Sequence, residues 1–170
     1  MSSKDFKHIE GTSANAIFSD CKKYRYRLTV QNDNSSGSET VCVIMQNPSV
    51  ANAEIADKSV QFLEKLIFTK GYSEFRNVEK IIVVNQFAFV KTKDFNGSEL
   101  YIGQENDAHI SAAIRESDIV LIAWGRSNRY SERKAAINTM LAEHSDKTLL
   151  ETKSHPSRGT YINFIQTYRI

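Results

Sequence analysis

A chain of 170 residues, 41% hydrophobic and 25% charged, has the proportions of one globular domain, long enough to bury about two thirds of its unfolded surface and so needing no metal or disulfide staple. Its 22 Lys and Arg against 20 Asp and Glu leave a net charge of +2, which disfavours a protein that coats nucleic acid by charge alone but leaves room for a local basic patch. No apolar run approaches the roughly 20 residues of a membrane-spanning helix, and no apolar stretch follows the charged start, so neither a membrane span nor a secretory signal is expected. In the cytoplasmic location this implies, Cys21 and Cys42 read as free thiols.

Residues 1–20 carry no strong pattern and read as loosely ordered. Over residues 24–30, Tyr24, Tyr26, Leu28 and Val30 alternate with polar residues, the period of a half-buried strand, expected at a sheet edge. Residues 32–39 are a run of turn formers, read as a flexible loop between strands. Residues 41–45, 80–84 and 118–124 are short, apolar and rich in β-branched side chains, as in strands buried on both faces, and 148–150 adds a fourth. Between them, residues 57–70 space Val60, Leu63, Leu66 and Ile67 along one helical face, with Asp57 at the start and Gly71 beyond the end. Residues 106–115 and 131–144 read as two more helices. The alternation predicts an α/β domain of three layers, α/β/α, around a central, mostly parallel four-stranded sheet plus an N-terminal edge strand.

Ligands of such sheets bind beyond the carboxyl ends of the strands. Those ends carry Gln46-Asn47-Pro48-Ser49, Asn85-Gln86-Phe87, Trp124-Gly125-Arg126 and Lys153-Ser154-His155-Pro156-Ser157-Arg158, and the only two prolines of the chain, Pro48 and Pro156, lie among them. Each piece has a plain structural explanation: Asn47-Pro48-Ser49 as a turn, Asn85 as a loop cap, Trp124 as core, His155 as an exposed loop residue. Four strand ends aimed at one crevice make the candidate site. There is no glycine-rich loop for a dinucleotide and no Walker pattern. His8, His109, His144 and His155 show no metal-ligand spacing, so neither cofactor nor metal is expected.

From about Tyr24 to Ile162 the chain resembles an uncharacterised family, domain of unknown function 1643. The resemblance is carried by seven motifs in matching order: Tyr24 to Leu28, Asn47 to Ala51, Asp57 to Ser59, Val83 to Ala88, Gly103 to Asp107, Ala123 to Gly125 and Thr152 to Pro156. More distantly, the motif order is similar to the uracil-DNA glycosylase superfamily, whose first loop is of type Gly-x-Asp/Asn-Pro. There, a strand-end Asn reads a pyrimidine, a Trp-Gly follows a later strand, and a His-Pro-Ser loop carries the histidine that stabilises the departing base. Asn47-Pro48, Asn85, Trp124-Gly125 and His155-Pro156-Ser157 fall in that order. The chain departs from the pattern where Gln46 replaces the leading Gly, Asn47 stands where many members have an activating Asp, and Ser157-Arg158-Gly159 replaces the wedge after His-Pro-Ser.

The superfamily resemblance implies a uracil-DNA-glycosylase-like fold and cleavage of an N-glycosidic bond in nucleic acid or a nucleotide. His155 would donate to the base oxygen, Asn85 would read the base with one donor and one acceptor, and Asn47 would orient a water. Asp57 is the nearest candidate to take that water's proton, or equally a helix N-cap. Pro48, Ser49, Trp124, Gly125 and Ser157 would line the site, Phe87 or Phe89 would stack on the base, and Arg126, Lys153 and Arg158 would meet phosphate or form a solvated basic face. The alternative is a catalytically silent module, taken as a monomer like the enzyme, that binds a nucleotide-like ligand, nucleic acid or a protein in the same crevice.

Overall fold

The computed structural model describes residues 6–91 and 93–170. Seven strands, β1 (Thr12–Phe18), β2 (Arg25–Asn32), β3 (Glu39–Met45), β4 (Val78–Asn85), β5 (Ile119–Ile122), β6 (Thr148–Thr152) and β7 (Ile165–Thr167), alternate with three helices, α1 (Lys58–Phe68), α2 (Asn106–Glu116) and α3 (Ser131–Ala142). The strands form one sheet in the order β1-β2-β4-β3-β5-β6-β7. The expected parallel strands are its centre, β4-β3-β5-β6, and antiparallel strands extend it on both sides. The mixed α/β class therefore holds, but the sheet has seven strands where four plus an edge strand were expected.

Two expectations for the amino-terminal part are corrected. Residues 12–18, for which the sequence predicts loose order, form β1 and pair with β2 from Thr12↔Asn32 to Phe18↔Arg25; residues 1–5 lie outside the described residues. That added strand takes the edge, so β2 lies between β1 and β4. Gly11, at φ +82, turns the chain into β1, and its carbonyl accepts from Asp33 N–H beyond β2.

The pleat sends alternate residues of the central strands to opposite faces. Val41, Val43, Ile81, Val83 and Leu121 pack with α1 residues Val60, Leu63 and Leu66, while Cys42, Ile44, Ile82, Val84 and Val120 pack with Ile110 and Ile114 of α2 and Ile137 and Leu141 of α3. Helices thus cover both faces. The helix after β3 lies on one face and those after β4 and β5 on the other, which opens a crevice at the carboxyl edge around β3. Among the described residues no helix is long and apolar enough to cross a membrane.

Candidate functional site

A cleft of about 600 Å³ opens at that edge, lined by Met45 at the end of β3 and Gln46 to Val50 after it, Asn85 at the end of β4, His155 after β6, and Asp57, the cap of α1, with Lys58 to Val60 of its first turn. It falls in the size range of small-molecule sites. Asn47, Asn85 and His155, separated by up to about a hundred residues in sequence, border one cavity, together with Asp57, Pro48 and Ser49. Gln86 N–H donates to Met45 O and Phe87 N–H to Gln46 O, both at 2.9 Å, which continues the pairing of β3 and β4 past their ends and holds the Asn47 and Asn85 loops together.

Asn85 is 1% exposed, and neither its amide nitrogen nor its amide oxygen has a protein partner. Its backbone is pinned from behind. Asn106 Nδ2 donates to Asn85 O at 2.9 Å and Gln86 O at 3.3 Å, and Arg133 Nε donates to Gln86 O at 2.9 Å. The Arg133 guanidinium is itself fixed by both Asp107 carboxylate oxygens, at 2.7 and 3.3 Å. A buried amide on so rigid a support presents one donor and one acceptor ready for a complementary edge.

His155 is partly buried, and its Nδ1 accepts from Ser157 N–H at 3.1 Å. That bond leaves the proton of the neutral ring on Nε2, which has no protein partner among the described residues. Desolvation, first, and the charge of Arg158 push its pKa below the usual 6.5, against an opposing pull from Asp57. The ring is therefore a neutral donor near pH 7. Gly125 stands beside it at φ +89, where a Cβ would lie 3.3 Å from His155 Cβ.

Asp57 combines both readings considered for it: Oδ1 accepts from Val60 N–H at 2.8 Å as the N-cap of α1, while the residue also lines the cleft. Asn47 is more committed. Its Nδ2 donates to Lys91 O at 2.6 Å and its Oδ1 accepts from Gln46 Nε2 at 3.0 Å, so its amide ties two loops together.

Several expected site residues lie elsewhere. Phe87 is 1% exposed and sits edge-on to Phe95 and Tyr130, outside the cleft. Trp124 belongs to the core under α2 and α3, with Tyr168 against its ring, because strand parity turns it away from the face of Asn85. Ser157 acts through His155, with its Oγ 2.9 Å from Nδ1. Arg126, Lys153 and Arg158 do not line the cleft, and Arg126 and Arg158 are exposed.

Phe6, Phe95, Lys91 and Arg25 also line the cleft, although no sequence motif marks them as site residues. Arg25 was hidden by a β-bulge. Between Arg25 and Arg27 the β1–β2 register shifts, which turns Tyr26 over to stack on His109 of α2 and sends Arg25 to the cleft. At 2% exposure its Nη1 donates to Ala51 O at 2.8 Å, while Nε has no partner. Burial pushes the guanidinium down to about 10, the charge of Asp57 opposing, so it stays cationic at neutral pH. Among the described residues no group of three or more His, Cys, Asp and Glu is placed to hold a metal ion.

A family model described as Protein of unknown function (DUF1643) matches residues 25–158, and the chain belongs to that family. No curated protein and no solved structure matches it. Residues of the sequence motifs brace the loops of the cleft: Arg25 donates to the carbonyl of Ala51 and, through its backbone N–H, to that of Ala88, and Asn106 donates to that of Asn85.

Proposed function

We propose that the protein recognises a nucleobase in this cleft and releases it by hydrolysis of an N-glycosidic bond, in the manner of uracil-DNA glycosylases, whose three-layer fold we take it to share. The carrying observation is that Asn85, buried with both amide atoms free, and His155, a neutral Nε2 donor, border one cleft. Asn85 reads the base edge and Nε2–H stabilises the oxygen of the departing base anion. Water supplies the oxygen that bonds to the sugar carbon as the C–N bond breaks; Asp57 takes its proton, and the leaving base is reprotonated by solvent. Phe95 or Phe6 offers the ring for stacking that Phe87 does not. The unpaired Cys21 and Cys42 suit a reducing cytoplasm.

The test is release of base from labelled single-stranded DNA, nucleosides and nucleotides. Replacing one such donor costs about two to three powers of ten in rate, so His155→Ala should abolish measurable release. No release from any of the three by folded protein sinks the enzymatic reading. The commitment of the Asn47 amide to Lys91 O and Gln46 favours a second reading, a binding module without turnover. It predicts ligand-dependent thermal stabilisation and no product.

A further inference from the structure

Arg25 has no part in base reading or bond cleavage as described above, yet it is the most deeply buried cation of the cleft, 2% exposed with Nε unpartnered. Among the described residues it makes no ion pair, its hydrogen bond being to the neutral Ala51 carbonyl. A guanidinium held this way gains most from an anion, above all one whose oxygens accept two of its N–H groups. The surroundings fit a doubly charged one. Lys58 and Lys91 also line the cleft, and Asp57 is the sole carboxylate among the described lining residues.

The N-terminus of the 11-residue helix α1 opens at the same place. Asp57 takes the Val60 N–H, but those of Lys58 and Ser59 have no partner among the described residues. Free N–H groups at a helix start together with a buried arginine make a phosphate site. A phosphate monoester carries about −1.5 to −2 at pH 7, matching the surplus of three cations over one carboxylate among the described lining residues. The exposed arginines a polymer backbone would meet, Arg126 and Arg158, do not line the cleft.

We propose that Arg25 and the amino end of α1 bind a phosphate group, and that the ligand is a nucleoside monophosphate rather than nucleic acid. The assignment rests on Asn85 reading the base and adds the second point of attachment. Calorimetric titration of the full chain tests it with uridine, cytidine and thymidine, their 5′- and 3′-monophosphates, inorganic phosphate, and a single-stranded oligonucleotide of the same bases.

One monophosphate should bind about tenfold or more tightly than its nucleoside, with inorganic phosphate competing. Its affinity relative to the nucleoside, with which it shares the neighbouring His155 and Asp57, should rise between about pH 5.5 and 7 as the phosphate gains its second charge. Arg25→Gln should bring the ratio of monophosphate to nucleoside affinity down to about one; should that variant not fold, the wild-type ligand series and its pH dependence decide. Equal affinity for nucleoside and monophosphate overturns the phosphate site while leaving base reading intact. Tighter binding of the oligonucleotide overturns the ligand class. Phosphate binding with no gain from any base, or no binding at all, removes the base reading and the nucleotide with it.

Discussion

At Asn85, function and stability pull in opposite directions. A buried polar group without a partner costs about 1–3 kcal/mol, and Asn85 carries two such atoms behind a strand end that Asn106 and Arg133 hold in place. Asn85→Leu keeps the branched shape and removes both atoms. The variant should melt at higher temperature than the parent by the equivalent of about 1–3 kcal/mol, while losing all stabilisation by a nucleobase ligand. Thermal melts with and without ligand check both halves. A variant less stable than the parent would mean that Asn85 supports the fold rather than the ligand. His155 shows the complementary arrangement, in which the ring is aligned through Nδ1 by the Ser157 N–H and only Nε2 is left for chemistry.

At the scale of elements, α1 joins the fold to the site, because Asp57 caps the helix and lines the cleft at once. Two substitutions separate the roles. Asn caps a helix about as well as Asp, whereas Ala costs about 1 kcal/mol. Asp57→Asn should therefore keep the helix cap but lose base release, and Asp57→Ala should lose both and melt lower than Asp57→Asn. Release undiminished in Asp57→Asn would reduce Asp57 to a cap.

The central strands and this helix were legible because their signals are local: β-branched runs buried on both faces, and an apolar face from Val60 to Ile67 between Asp57 and Gly71. The flanking strands were not. In β1 the small or polar residues of Thr-Ser-Ala-Asn-Ala bury only one face in part, and β7 is three residues long, so both depend on a neighbour for their pairing. Asn47, Asn85 and His155 could be placed together because strand ends share an edge. Arg25 could not, because strict alternation points Tyr26 inward and only the bulge reverses it. Phe95 carries no such signal either, since it lies in an irregular loop with no periodicity to orient it.

Over the whole molecule, residues 6–8 act as a strap across the cleft's outer wall. Phe6 bridges Ala56 and lines the cleft, and His8 reaches both Glu64 of α1 and the 52–56 loop. His8 Nε2 donates to Asn52 O at 2.7 Å and Nδ1 meets Glu64 Oε1 at 2.7 Å, which makes both nitrogens donors and the ring an imidazolium. Burial, the largest influence, pushes its pKa down, but the Glu64 contact and charge with the Asn52 and Ile55 carbonyls outweigh it and raise the pKa above 6.5. The native state therefore binds this proton more tightly than the unfolded chain. Its stabilising contribution is complete below pH 6.5 and is lost as pH rises through the raised value. His155 works in the opposite sense: its pKa is lowered, so stability falls as pH drops below 6.5 toward the folded value. The melting temperature should peak near the shared reference value of 6.5 and decline on both sides. His8→Ala leaves the 1% exposed Glu64 carboxylate unpaired, a loss of about 3–5 kcal/mol. The variant should melt several degrees lower at pH 6 while keeping the acid decline set by His155. A His8→Ala variant that melts like the parent at pH 6 would show that the strap is not held by this pair.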